Sequence, residues 1–534
     1  MNVIAIISFL GIVTGIWMYA IWRSRKVDNT GSEGFFLGGR SLTALPIAGT
    51  IIMTNLSTEQ IVGQNGQSYL SGMQVMAWEV TSAIAIVALA MVFLPKYLRY
   101  GISTISDFIE IRYDTVTKRV ISILFVITYM SSFLPVVLYS GSLVFNKLFR
   151  VDELLGVSPM TAIILVAFII GLVGILYLLI GGLFLSASSD IIYGFGLLVA
   201  GLSIPIIGLT RLGDGNMIQG LESIIQNTPW LLNSVGSIDS AIVPWPTLFT
   251  GMMFNNLYFW CTNQMIVQKA FSGKSLIESQ KGVLMVGVFK IFGALFLVFP
   301  GIVARNMFGD ELLINPDNAY STLVMAVLPE ILYGVFAAVI FGAILSSFTG
   351  ALNATATLFS LDFYKPIINK KADDKQIAHF GKKVTVTVGV ISIIVAPLIM
   401  FAPAGLYQFV QEFNGLYNMP LLVIILFAFY SKRATALGAK ITITFHVVLY
   451  SLSKIVLADI HFLYVLSVLF FLDALVLMLV SHIKPEKDFI LEQFKNEKVS
   501  LEPWKYTKIA SVVIVITVIL TYMAFSPLGL ARVV

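Results

Sequence analysis

Thr54-Asn55-Leu56-Ser57-Thr58-Glu59-Gln60 interrupts an otherwise apolar run at 44–65. A helix in lipid satisfies its own backbone, so a polar break is stable only where it lines a cavity. A second apolar run, 246–268, carries Asn255-Asn256 and then Asn263-Gln264, and the same reasoning predicts a break at Asn255-Asn256. Paired interruptions at corresponding places point to a transporter built from inverted repeats, with its binding site at the breaks. The two broken runs stand five spans apart, and an odd number starts the second unit from the other side of the membrane. The expectation is an all-α polytopic membrane protein with a first repeat at 44–210 and an inverted second repeat at 246–430. No residue-level identity between the halves supports this; it rests on span count and break position.

Working outward, the 534 residues are 57% hydrophobic and 12% charged, with mean hydropathy +0.90. Soluble domains carry about 25% charged residues, so most of this chain faces lipid or other apolar helices. At about 20 residues per span, fourteen candidates appear, and the whole of 1–534 reads as one transmembrane transporter domain. Ahead of the repeats lies 2–22. It has no basic leader and no small-residue cleavage site, and is expected to be retained. Within the repeats lie 44–65, 74–98, 120–147, 158–180, 186–210, 246–268, 283–304, 328–362, 384–402 and 405–430. Three more spans, 435–456, 460–481 and 508–526, occupy 435–526.

Charge sets the orientation. Of the 34 Lys and Arg, 27 fall in alternate loops beginning with Arg23, Arg25, Lys26 and Arg40. Six fall in the opposite set, which includes Lys147, Arg150 and Arg305. Positive loops stay in the cytoplasm. The chain is therefore expected in the plasma (inner) membrane with its N-terminus outside and, after fourteen spans, Val534 outside too.

Several function classes are excluded. The net charge of +5 is spread over short loops, which is not a nucleic-acid surface. The single cysteine, Cys261, permits no internal disulfide, and no metal cluster or nucleophile–base set is present, which argues against an enzyme. A long soluble signalling domain, usual in sensors of this type, is not expected after the last span, which ranks a sensor below a transporter.

Ionisable residues inside spans are costly and mark pathways or pairs. Six stand out: Glu59, Glu79, Asp190, Lys290, Glu412 and Asp473. Glu79 and Ser82 share a helix face and suit a polyhydroxylated ligand. Lys290 reads as the only cation deep within a span; it either donates to a solute hydroxyl or neutralises Glu79. Asp473, outside both repeats, is expected to be structural. The hydroxyls of Ser346 and Ser347, with freed carbonyls, are hard oxygen ligands for an alkali cation, although hydroxyls also serve tight helix contacts in membranes. Phe259 and Trp260, one turn beyond the expected break, could stack on a sugar ring.

At these residues the chain resembles the solute:sodium symporter family, in particular its bacterial sodium/galactose and sodium/glucose cotransporters. The resemblance is collinear from about Glu33 to Pro420. It is carried by Asn55 to Gly63, Trp78-Glu79-Val80-Thr81-Ser82, Asn256-Leu257-Tyr258-Phe259-Trp260, Asn263-Gln264, Gln268-Lys269, Gln280-Lys281-Gly282, Ser346-Ser347, Asn353 to Thr357 and Gln408 to Leu416. It implies a LeuT-type fold and sodium-coupled uptake of a galactose- or glucose-like sugar. It implies sugar contacts at Gln60, Glu79, Ser82, Asn256, Lys290 and Gln411, with Phe259 and Trp260 as an aromatic gate. Sodium would meet the carbonyls of Met53, Leu56 and Ala343 and the hydroxyls of Ser346 and Ser347, and Asp190 would mark a sodium exit or a second site. Two departures stand out: Phe259 where the family usually has Tyr, and Ser188-Ser189-Asp190 where it has Trp-Thr-Asp. Inositol, a sugar acid or an amino acid remain alternative solutes, and a non-transporting sensor of the same fold remains a further reading.

Overall fold

A computed structural model describes residues 3–25, 30–401, 406–486, 489 and 499–532. Lys26, both chain termini and much of the 483–507 connection lie outside the described residues. Among those described, the structure is helical, with two isolated bridges, Leu42 to Gly273 and Ser275 to Ser500, and no strand.

The first break lies where the polar run predicts. Helix Ala44–Asn55 ends at Leu56 (φ −85°, ψ 74°), Ser57 is extended, and helix Thr58–Ser71 begins. The second break is displaced. Asn255 and Asn256 sit inside the continuous helix Gly251–Thr262, and the chain leaves helical geometry at Asn263 (φ −71°, ψ 124°) before Gln264–Phe271. Tertiary partners account for the difference. Asn418 donates to Asn255 Oδ1 at 2.8 Å, and Asn256 donates to Thr81 Oγ1 at 2.9 Å, so neither amide competes for its own backbone. Asn263 does compete: its Oδ1 accepts from the Met265 N–H at 3.0 Å and from the Tyr129 hydroxyl at 2.7 Å.

The expected spans 158–180 and 186–210 form one run, Pro159–Leu212, with non-helical geometry only at Gly182 (φ 55°, ψ −150°). A straight helix of that length would reach about 80 Å, far beyond a core of about 30 Å, so Gly182 divides it. Glycine is required there, because a Cβ would stand 2.6 Å from the Phe35 carbonyl oxygen.

Among the described residues, ten helical runs are long and apolar enough to cross a membrane. The pair Leu406–Asn414 and Asn418–Tyr430, bent by 47°, makes eleven. The count falls short of fourteen because the pieces of the broken spans are too short to qualify alone and Pro159–Leu212 counts once. Helix Pro159–Leu212 packs on Tyr333–Leu358 and on Ala44–Asn55, which also rests on Leu276–Gly293. Close approach needs small residues: a Cβ on Gly342 would collide with Tyr193 at 2.1 Å. Outward-facing Phe195, Ile169 and Ile516 are exposed and apolar, as a lipid-facing surface requires.

Candidate functional site

The first break, helix Gly251–Thr262, helix Leu276–Gly293 and the bent span converge on one pocket. Asn55, Glu59, Gln60, Trp78, Asn256, Phe259, Trp260, Lys290, Tyr407, Gln411 and Asn414 line it, together with Phe133, Asn255 and Val410. Six of the eight residues expected at the sugar or its gate are therefore brought together: Gln60, Asn256, Lys290, Gln411, Phe259 and Trp260. The Phe259 and Trp260 rings stand edge to face at 5.5 Å, and the Lys290 ammonium lies 5.4 Å from the Trp260 ring centre. The open space is only about 40 Å³. That is room for a few waters, whereas pockets for small molecules run to about 300 Å³ or more, so a solute of hexose size requires the walls to move apart.

Glu79 and Ser82 sit behind this lining. Glu79 is fully buried and pairs with the Lys290 ammonium. Its other oxygen accepts from the Gln60 amide and, at 2.7 Å, from Gln64. Lys290 also donates to Asn55 Oδ1 at 2.7 Å. Pairing neutralises both charges, which a buried site demands. Ser82 turns its hydroxyl onto the Glu79 carbonyl of its own helix, so the shared face does not become a shared site. Gln64, Asn55 and Tyr407 were not legible as site residues; Gln64 is one turn beyond Gln60, the only signal that could have found it. Glu59 reaches the pocket with one buried oxygen, Oε2, lacking a protein partner.

On the other side of the break, the expected sodium ligands assemble in part. Ser347 Oγ lies 3.1 Å from the Met53 carbonyl and 2.9 Å from that of Thr54, and Ser346 Oγ lies 3.2 Å from Thr54 Oγ1. These are neutral hard oxygens, as a small alkali cation prefers. Two more buried hydroxyls at the break, Ser57 Oγ and Thr58 Oγ1, have no protein partner. Leu56 and Ala343 are fully buried, Leu56 in the break and Ala343 one turn before Ser347.

The reading of Lys290 as the only deep cation requires correction. Lys269 is equally buried, 1% exposed. Its ammonium donates to the Thr50 carbonyl at 3.1 Å, to Thr50 Oγ1 at 2.9 Å and to Thr54 Oγ1. Asp190 accepts from the same Thr50 hydroxyl at 2.7 Å and from Ser186 at 3.4 Å. Asp190 therefore joins the Ser346 cluster through Thr50, Lys269 and Thr54. Position decided this: Lys269 stands at the edge of an apolar run and reads as a loop residue.

The model of the sodium:solute symporter family matches residues 35–444. The chain is 43% identical over 531 residues to a symporter of Escherichia coli (strain K12), YidK, described as uncharacterized, covering 99% of this chain and 92% of that one. It is 28% identical to the sodium/glucose cotransporter of Vibrio parahaemolyticus, covering 81% of each. It is 27% identical to the sodium/myo-inositol cotransporter of Bos taurus, covering 90% of this chain and 73% of the relative. A Na+-coupled sialic acid symporter in a substrate-bound outward-open state superposes with TM-score 0.75 at 18% identity, over 91% of this chain and all of that one.

Proposed function

The chain belongs to the sodium:solute symporter family, and from that premise we propose that it imports a neutral polyhydroxylated solute, galactose- or glucose-like, together with sodium. The observation that carries the reading is the convergence of Gln60, Asn256, Lys290 and Gln411 around the Phe259–Trp260 corner. Amides and a paired ammonium offer donors and acceptors to hydroxyls at a pocket edge, and the aromatic faces cover a ring's apolar side. Glu79 orients Gln60, Gln64 and Lys290 from behind. Because Glu79 already neutralises Lys290, an anionic solute finds no free cation there, which ranks a sugar acid below a sugar. The second reading is a cyclitol, whose ring of hydroxyls suits the same lining and which the similarity to sodium/myo-inositol cotransporters favours.

In this reading, sodium at the carbonyls of Met53, Leu56 and Ala343 and the hydroxyls of Ser346 and Ser347 ties the first broken span to helix Tyr333–Leu358. That orders the break carrying Gln60. Solute then shifts the population toward an occluded form, and rocking of the repeats 44–210 and 246–430 releases both inside. The arrangement has fourteen spans and an external N-terminus in the plasma membrane. One charge crossing 100 mV yields about 2.3 kcal/mol and a tenfold sodium gradient about 1.4, together enough for roughly 500-fold accumulation per sodium.

The test is sodium-driven uptake into proteoliposomes of labelled galactose, glucose, myo-inositol and sialic acid. Sodium-dependent accumulation of galactose or glucose is expected, with myo-inositol the nearest competitor. Accumulation of sialic acid alone would overturn the neutral-solute reading.

A further inference from the structure

Tyr407, Val410, Gln411 and Asn414 reach the pocket from the short helix Leu406–Asn414, which meets Asn418–Tyr430 at 47°. A helix end leaves carbonyls without intrahelical partners. At this bend the carbonyls of Gln411, Glu412, Phe413 and Asn414 accept from the N–H groups of Gly415, Leu416 and Tyr417, and the neighbouring helix Ala436–Val456 adds side-chain donors to the turn. His446 Nε2 lies 2.9 Å from the Gly415 carbonyl oxygen. The Tyr450 hydroxyl donates to the Glu412 carbonyl at 2.7 Å, and Lys454 Nζ donates to Glu412 Oε2 at 2.6 Å. Residues 446, 450 and 454 recur every fourth position and so form one stripe on one face. Gly415 permits the approach: a Cβ there would stand 2.2 Å from the Tyr450 hydroxyl.

His446 is held from behind. Its Nδ1 lies 2.7 Å from Asp473 Oδ2 on helix Phe462–Ile483, and both side chains are fully buried. Hydrogen counting constrains the pair. A carbonyl oxygen only accepts, so Nε2 carries a hydrogen; the short contact at Nδ1 needs a second one between ring and carboxyl. Wherever that hydrogen sits, the pair is neutral overall, as its burial favours.

We propose that His446, Tyr450 and Lys454, with Asp473 fixing the imidazole, are positioning residues that clamp the hinge of the bent span and so place Gln411 against the solute. The helices beyond the second repeat thereby set solute affinity. This accounts for Glu412 and Asp473, two carboxylates within apolar runs that the pocket leaves unexplained. It rests on the reading of Gln411 as a solute contact.

The experiment uses the full chain in proteoliposomes with spin labels at positions 409 and 459, one on the short helix and one in the turn after Val456. His446→Phe keeps ring volume but removes both hydrogen bonds. The expected result is a broadened label-to-label distance and, at saturating sodium, an increase of about tenfold in the galactose or myo-inositol concentration for half-maximal uptake, the scale of one strong hydrogen bond. The maximal rate is expected to hold within about twofold of wild type. Asp473→Asn is the rescue: its amide can donate to Nδ1 of a neutral ring that still donates from Nε2, so wild-type distance and half-saturation are expected. The proposal is overturned if His446→Phe leaves the distance unchanged, if the distance broadens without a change in half-saturation, or if Asp473→Asn behaves like His446→Phe. If wild type accumulates none of the panel solutes, the neutral-solute reading fails separately, and the distance measurement still decides the clamp.

Discussion

Glu79 and Lys290 meet directly beside the pocket lined by Phe259 and Trp260, 211 positions apart in sequence. Asp190 and Lys269, beside the Ser346–Ser347 hydroxyls, communicate through the Thr50 hydroxyl, which donates to one and accepts from the other. Both pairs are buried and both neutralise themselves, yet they are suited to different work. The direct pair is a closed unit that orients the Gln60 and Gln64 amides, as the proposed neutral ligand requires. The bridged pair shares Thr54 with Ser346, so its charge balance is felt where sodium is proposed to bind. A buried charge pair therefore does not announce its role; the groups it shares do.

The sharpest way to break this comparison is to unpair the first site. Glu79→Ala or Lys290→Ala leaves the other charge uncompensated, at about 3–5 kcal/mol, and a loss of solute uptake of about 100-fold or more is expected. Were the pair only structural, Glu79→Leu with Lys290→Leu would restore transport, so full uptake by that double variant removes both residues from the solute site.

At the second site the two single changes should move sodium dependence in opposite directions. Asp190→Asn leaves an unbalanced ammonium near the sodium donors and should raise the sodium concentration for half-maximal uptake by about tenfold, the scale of a charge-assisted contact. Lys269→Met leaves an unbalanced carboxylate and should lower it. Shifts of the same sign would mean that charge balance at Thr50 is not felt at the cation site.

A smaller effect is expected within the neutral ligand set. Ser347→Ala removes one hydroxyl near the Met53 and Thr54 carbonyls, and sodium activation should weaken by about fivefold, as for one neutral hydrogen bond. Unchanged sodium activation in both Ser346→Ala and Ser347→Ala would refute the site.

The smallest contrast concerns Phe259. A ring packed by dispersion needs no hydroxyl, so Phe259→Tyr should keep uptake within about twofold, while Phe259→Ala should speed efflux of preloaded galactose by severalfold. Equal efflux in all three forms would make Phe259 a lipid-facing packing residue.

Much of the molecule was legible before any coordinates. Lipid acts on each segment locally: it demands an apolar run of fixed length and forbids an unsatisfied backbone. Hence a polytopic helical transporter, the break at Leu56–Ser57 and the abnormal burial of Glu79, Lys290 and Asp190 follow from the order of residues alone. Local rules could not say which polar residue breaks a helix when a neighbour can satisfy it. Asn255 and Asn256 find Asn418 and Thr81, so the break moves to Asn263. Nor could they say whether Ser82 would face the pocket or its own backbone, that Lys269 would be drawn inward to Thr50, or that Asp473 would hold a histidine against Gly415. The Asn255, Asn256, Lys269 and Asp473 outcomes join residues 27 to 219 positions apart, and Ser82 turns to a backbone carbonyl only three residues away. A buried polar group is satisfied by whatever the packed helices bring within about 3 Å, and only the tertiary structure sets that distance.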